Sequence, residues 1–219
     1  MLPRRAGVTA GPDFDEPYFR ELYGPVPRQT RFDRARDDRV VRLVERFGPW
    51  RGSLLDIGCG YGYLLARFRG RYDLHGIDMS THAAGEVVAR LPGVRVVQAD
   101  MQRPFPFAGR FDVVLAVNVI EHLPDPEAGV ASVREALRPG GLCVLHLPTI
   151  NNTVSRAVYR FTYAGDPTHV YRPSGDEVRR LFETHGFETV EEAYAPFAPR
   201  ALWKALRWHP AYLAAFRRG

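Results

Sequence analysis

The chain has 219 residues, 45% apolar and 25% charged, with a formal net charge of +5, which suits one soluble domain with a substantial core, or one domain with small additions. No apolar run approaches the ~20 residues of a membrane span, Met1-Leu2-Pro3-Arg4-Arg5 opens no apolar signal segment, and two cysteines, Cys59 and Cys143, make no disulfide framework and point to a reducing, cytoplasmic compartment. The charge excess is confined to Arg200, Lys204, Arg207, Arg217 and Arg218, which follow the last acid, Glu192, so the main domain has no basic face for nucleic acid.

Residues 1–30 are rich in Pro, Gly and Arg, with Tyr18, Phe19, Leu22 and Tyr23 as apolar points. They read as a loosely ordered arm with one short helix. Residues 32–47 read as a helix, because Val40, Val41, Val44 and Phe47 share one face. Gly48-Pro49 stops it. A strand over 53–57 follows, then a loop with glycine at every second position, Gly58-Cys59-Gly60-Tyr61-Gly62, and a helix from Tyr63 to about Arg69. Glycine frees the backbone for positive φ and for close approach to a ligand. The helix start leaves N–H groups facing the same space. A nucleoside-type ligand fits there, at the carboxyl end of a parallel strand.

The second strand, 72–78, ends at Asp78, 20 residues after Gly58. That is close to the spacing at which an acid meets a ribose diol, and two carboxylate oxygens can accept from both hydroxyls. In the other reading Asp78 caps the next helix, a role Ser80 or Thr81 can fill. A helix over 81–90 ends at Pro92-Gly93, and a third strand over 94–99 leads to Asp100 and Met101. Asp100 is a second acid at a strand's carboxyl end, or a turn aspartate. Pro104-Phe105-Pro106-Phe107 is a packed loop. Residues 111–117 form a nearly continuous apolar run, as a strand buried on both faces does. Asn118 is the first polar residue beyond it, and Glu121-His122-Leu123 follows.

A helix over 126–137 stops at Arg138-Pro139-Gly140-Gly141, and a fifth strand covers 142–147. Residues 148–173 form a long insertion at the carboxyl edge of the sheet, with Asn151, Asn152, Tyr159, Tyr163 and Asp166-Pro167-Thr168-His169. Its length marks it as functional and its position suits a substrate lid. His169 is the leading general-base candidate, because histidine titrates near neutral pH; alternatively it anchors the lid through a hydrogen bond. His122 touches substrate or makes local bonds. Ser174-Gly175-Asp176-Glu177 is a capping box, Gly186 ends that helix, and 187–194 is a sixth strand. No seventh strand is evident. Residues 201–208 and 211–218 read as two short basic amphipathic helices, suited to an anionic membrane surface or to packing on the sheet edge. An uncovered sixth-strand edge invites pairing with a second copy.

The D-x-G-x-G-x-G form of residues 56–62, with Tyr63 where a dinucleotide fingerprint places Gly or Ala, resembles the first motif of class I S-adenosylmethionine-dependent methyltransferases. Asn118 with Glu121-His122-Leu123 is similar to that superfamily's fourth-strand motif, and Arg138-Pro139-Gly140-Gly141 to its turn before an apolar strand. Asp166-Pro167-Thr168-His169 resembles a run in members that act on small molecules and lipid-like quinones. The resemblance covers 32–194. It implies a doubly wound α/β fold, a Rossmann-like three-layer sandwich with a mainly parallel sheet. The methyltransferase domain would span 31–194, with a 148–173 lid, an arm over 1–30 and a basic tail over 195–219.

The resemblance further implies a cofactor, S-adenosylmethionine, bound by Asp56, Gly58, Cys59, Gly60, Gly62, Asp78, Met79, Asp100, Met101 and Asn118. The loop would hold the methionine end and Asp78 the ribose. Asp100 would accept from the adenine amino group, Met101 would line the ring, and Asn118 would sit near the transferable methyl. In related enzymes such an arm closes over the cofactor, here with Tyr18 and Tyr23 as contacts. The expected reaction is in-line methyl transfer to an O, N or C nucleophile of a small or lipid-like acceptor, with His169 or His122 as base. No metal ligands are assigned. A seventh, antiparallel strand normally lies beside the sixth, and here the sequence departs from the family. A nicotinamide oxidoreductase is disfavoured by Tyr63 and Asp100; a non-catalytic cofactor-binding protein of the same fold stays open.

Overall fold

The computed structural model describes residues 29–163, 165–194, 199, 202, 205 and 207–219. The arm, with Tyr18 and Tyr23, and most of the helix expected over 201–208 lie outside those residues. Seven strands run among the described residues: β1 Gly52–Ile57, β2 Tyr72–Asp78, β3 Arg95–Gln98, β4 Phe111–Val117, β5 Leu137–Pro148, β6 Phe187–Ala193 and β7 Ala211–Arg218. They form one sheet in the order β3-β2-β1-β4-β5-β7-β6. The first five are parallel, and β7 is antiparallel to both neighbours. The strand order reverses between β1 and β4, the place where α/β sheets open a crevice at their carboxyl ends.

Helices cover both faces. On one lie α1 (Arg31–Phe47), α2 (Tyr63–Ala66) and α3 (Thr81–Arg90); on the other lie α4 (Pro126–Ala136) and α6 (Gly175–Thr184), with α5 (Thr153–Thr162) in the 148–173 insertion. Val40, Leu43 and Val44 of α1 pack with Leu54, Leu115 and Val144 of the sheet, while Val130, Val133, Val178 and Phe182 of α4 and α6 pack with Leu55, Val114 and Leu145. Alternate residues of each central strand thus serve opposite cores, which explains their unbroken apolar runs. Five described helix starts are fixed by side chains: Thr30 and Asp33 cap α1 reciprocally, Ser80 caps α3, Asp125 caps α4, Asn152 and Ser155 cap α5 reciprocally, and Ser174 and Glu177 cap α6. No described helix is long and apolar enough to cross a membrane.

Three expectations need correction. The largest concerns the tail. Ala211–Arg218 is the seventh strand, threaded between β5 and β6, and residues 211–216 are buried. Tyr212, Ala214 and Phe216 face one core, and Leu213 and Ala215 face the other. Burial on both sides removes the alternation that identifies a strand, and three alanines imitate a helix. The domain therefore extends past residue 194, and 211–218 is no membrane-facing surface. Its basic residues serve the fold. Arg217 donates to the carbonyls of Phe47 and Gly140, each at 3.0 Å, and Arg218 donates to those of Arg134 and Leu137. Phe47 and Arg134 lie at the carboxyl ends of α1 and α4, where a cation complements the helix dipole.

The helix after the glycine loop is also shorter than expected. Past Ala66 the bonds tighten to the i→i−3 type, from Arg67 to Leu64 and from Phe68 to Leu65. That turn seats Phe68 against Tyr72, with ring centroids 5.8 Å apart. Finally, β5 starts before its turn. Leu137 pairs with Phe111 and Leu142 with Val113, so residues 138–141 bulge out within the strand.

Candidate functional site

The glycine loop is knitted to the end of β2. The N–H groups of Gly58 and Cys59 both donate to the Ile77 carbonyl, at 2.8 and 3.1 Å. Gly60 N–H donates to Asp78 Oδ2 at 2.9 Å. Gly58 has φ 65°, and a Cβ there would lie 2.5 Å from Val119 Cγ2, so only glycine closes this turn. By contrast, a Cβ on Gly60 would meet no heavy atom within 4 Å. The middle of the loop therefore faces open space, with its flanks packed, and a slender ligand chain fits against it.

Asp78 Oδ1 accepts from Ser80 N–H at 2.9 Å, while the Ser80 hydroxyl accepts from Ala83 N–H and caps α3. The cap role belongs to Ser80. Asp78 Oδ1 and Oδ2 are thus both engaged by backbone N–H groups. Burial raises the Asp78 carboxyl pKa, and the N–H groups of Ser80, Gly60 and Met79 oppose that shift. Asp56 is raised well above the usual carboxylate range by burial, with Asp37 and Asp78 adding to it.

The other predicted cofactor residues differ in what they offer. The Cys59 thiol points at Gly76, where a Cβ would lie 2.9 Å from its sulfur, and burial pushes its pKa well up. The Cys59 N–H donates to the Ile77 carbonyl, and its own carbonyl accepts from Gly62 N–H at 2.8 Å. Met79 is 42% exposed at the end of β2, whereas Met101 is 3% exposed and packs into the core against Gly129. Asp100 Oδ1 accepts from Gln102 N–H at 2.9 Å, a turn bond, and Oδ2 lies 4.0 Å from Arg103 Nε. Asn118 follows β4 with φ 54°, the sole positive-φ non-glycine among the described residues.

The 148–173 insertion meets the same edge of the sheet. Thr168 Oγ1 lies 2.8 Å from His122 Nδ1, and Asp166 Oδ1 accepts from Thr168 N–H at 2.9 Å. Tyr159 OH lies 2.9 Å from His169 Nδ1, and His169 Nε2 lies 3.7 Å from Asp166 Oδ2. The two predicted histidines are brought together, with ring centroids 4.8 Å apart. Sequence reasoning missed their third partner, Glu121. It is 0% exposed, and neither carboxylate oxygen has a hydrogen-bond partner among the described residues. Burial pushes its pKa up to about 8, and pushes that of His169 down to about 4. Burial also lowers His122. Burial alone would raise Asp166, but its bonds from Thr168 prevail and hold it below the usual range.

Donor atoms of Glu121, His122 and His169 all lie within 4.8 Å of one another. One carboxylate and two imidazoles can relay protons, and they also make a donor set that a divalent cation accepts. The signal was an acid inside the apolar run Val119-Ile120-Glu121-His122-Leu123. Val119 fills the space beside Gly58, and Glu121 and His122 follow it two and three residues on. The loop and the histidine cluster thus border one region at the carboxyl edge of the sheet.

A family described as "Methyltransferase domain" matches residues 31–192. A ubiquinone biosynthesis O-methyltransferase of Sinorhizobium medicae is 37% identical over 192 residues, covering 72% of each chain. A probable S-adenosylmethionine-dependent methyltransferase of Mycolicibacterium smegmatis is 34% identical, over 66% of this chain and 55% of that one. The chain spans about half the length of several such relatives, such as 41% of the Psychrobacter arcticus ubiquinone biosynthesis O-methyltransferase. Among solved structures, the N-methyltransferase NodS of Bradyrhizobium japonicum, in complex with S-adenosylhomocysteine, superposes with a TM-score of 0.66 at 20% identity, covering 91% of this chain and 95% of that one. That likeness shows the fold. With the family match spanning most of the chain, the protein belongs to the methyltransferase-domain family of Rossmann-like proteins.

Proposed function

We propose that the protein is an S-adenosylmethionine-dependent methyltransferase whose acceptor is a hydroxyl of a small or lipid-like phenol. The observation that carries this is the meeting, at one sheet edge, of a glycine loop bonded to a strand-end acid and a Glu121–His122–His169 cluster in which Glu121 and His169 are buried and His122 half-buried. The names of relatives such as the Sinorhizobium medicae O-methyltransferase favour oxygen as the nucleophile. The cofactor supplies an electrophilic methyl on a sulfonium that leaves readily. The chain's own residues do the rest. The open face at Gly60 would hold the methionine end and Asp78 the ribose. Holding acceptor and methyl in line while water is excluded accounts for most of the rate.

His169 is the base in this reading. Burial keeps its imidazole neutral at pH 7, so it can take the acceptor's proton, and Asp166 at 3.7 Å then stabilises the imidazolium. Glu121 stays protonated near neutral pH, so Asp166 supplies the negative charge beside the imidazolium. The test is transfer of labelled methyl from S-adenosylmethionine to catechol and to a catechol with a short isoprenoid chain. Wild type should label both, and His169→Gln should lower kcat by roughly 10²-fold or more without weakening S-adenosylhomocysteine binding. Undiminished kcat in the variant contradicts the base role and leaves His169 as a lid anchor. Cofactor binding with no labelling of any phenol contradicts the acceptor class.

A further inference from the structure

His146 is a polar residue in the apolar strand Leu142-Cys143-Val144-Leu145-His146-Leu147, and it is 4% exposed. It pairs in register with Val117 at the carboxyl end of β4. Asn118, the next residue, grips it twice. Asn118 N–H donates to the His146 carbonyl at 2.8 Å, and Asn118 Oδ1 lies 2.7 Å from His146 Nδ1. With the amide oxygen toward the ring, as assigned from the hydrogen-bond network, the proton sits on Nδ1 and Nε2 is a bare acceptor. That Nε2 is sealed from solvent and has no hydrogen-bond partner among the described residues. Burial, with the charges of Arg36 and His209, pushes the ring's pKa down to about 3, so it stays neutral. Asn118 makes this grip from a left-handed backbone that non-glycine residues rarely adopt. An aliphatic residue would fill the position without an orphaned acceptor. The arrangement makes sense if a donor arrives with a ligand.

The sheet order says which part of the ligand set that is. Asp78 and Asp100 follow β2 and β3, on one side of the glycine loop; β4 and β5 lie on the other. A nucleoside held by those acids lies over β2 and β3, and the methyl end points toward β4. The acceptor is left the region over β4 and β5. Ile57 is level with Ala116, and Val117 with His146, so the loop's first glycine and His146 stand two strand spacings apart, about 10 Å.

We infer that His146 Nε2 accepts a hydrogen bond from an O–H or N–H group of the methyl acceptor, in the tautomer and orientation that Asn118 fixes. The inference rests on the methyltransferase reading and adds to it an acceptor-binding residue, His146, and a positioning residue, Asn118. It also states what the acceptor must carry, a protic group at or beside the reacting centre.

The test is nitrogen NMR on protein labelled with ¹⁵N-histidine and saturated with S-adenosylhomocysteine, the His146 signals being identified by their loss in His146→Gln. Nε2 should resonate as an unprotonated imidazole nitrogen. Catechol should shift it upfield, and 1,2-dimethoxybenzene, which has no donor, should not. In methyl-transfer assays His146→Leu should raise KM for catechol roughly tenfold, while His146→Gln, which keeps an acceptor oxygen, recovers part of it. In Asn118→Ala the two ring nitrogens should lose their fixed tautomer. A protonated Nε2 in the S-adenosylhomocysteine complex overturns the inference. So does catechol binding that leaves Nε2 unmoved, or a full shift caused by S-adenosylhomocysteine alone, which would make His146 a cofactor ligand. Absence of any catechol affinity contradicts the phenol acceptor class and this inference together, whereas an unmoved Nε2 with bound catechol contradicts this inference alone.

Discussion

Glu121 shows how one residue ties stability to the site. Its carboxyl is wholly buried, without a partner among the described residues, and its pKa rises to about 8 because burial penalises the charged form. In the unfolded chain it would titrate near the ordinary glutamate value, about 4.3. Between those two values the unfolded state has lost the proton and the folded state still holds it. Stability therefore falls as pH rises through that window, by up to about 1.4 kcal/mol per pH unit. Glu121→Gln removes the ionisation and keeps the shape. Thermal unfolding should show the variant gaining on wild type from pH 5 to pH 8. A difference that does not change with pH would show that Glu121 is ionised in the folded protein.

The elements differ in how much of them a sequence can disclose. β2, α3 and β4 occupy the residues that their patterns predict, because an unbroken apolar run between turn residues, or a capped amphipathic segment, specifies itself locally. β7 does not. Its partners are β5, some 70 residues earlier, and β6, and its alanines favour helix until both neighbours are in place. The site divides in the same way. The glycine loop and the strand-end acid it bonds to were legible because a tight turn at the end of a strand demands fixed residue types at fixed spacing. Glu121, His146 and Tyr159 were not, since their meaning comes from burial and from partners on distant segments. Met101 shows the converse: its position after the third strand pointed to a cofactor ring, and its side chain lies in the core.

β7 also supplies the prediction at this scale. Phe216 is fully buried and stacks on Phe182, with centroids 4.3 Å apart and planes 12° from parallel. Phe216→Ala should cost about 3–5 kcal/mol, read from urea unfolding. A loss below 1 kcal/mol would mean that β7 contributes little to the sheet.

For the whole molecule, the net charge of +5 comes from five residues, of which Arg207, Arg217 and Arg218 serve the fold and Arg200 and Lys204 lie outside the described residues. Arg217 and Arg218 bind carbonyls at helix ends, and Arg207 pairs with Asp176 while lying 4.3 Å over the Tyr194 ring. The outer strand β6 carries Glu188, Glu191 and Glu192; Glu191 pairs with Arg46 at 3.3 Å, and Glu192 accepts from the Tyr212 hydroxyl at 3.2 Å. The proposed working region is the carboxyl edge between β1 and β5, where loop, acid and histidines converge. The central claim is that the loop and Asp78 bind S-adenosylmethionine there. Calorimetric titration with S-adenosylhomocysteine, of wild type and of Asp78→Ala, tests it most directly. The account predicts micromolar binding by wild type, at one site per chain, and its loss in a variant that remains folded by circular dichroism. Wild type that is folded yet binds no S-adenosylhomocysteine, or a variant that binds as tightly as wild type, would contradict it.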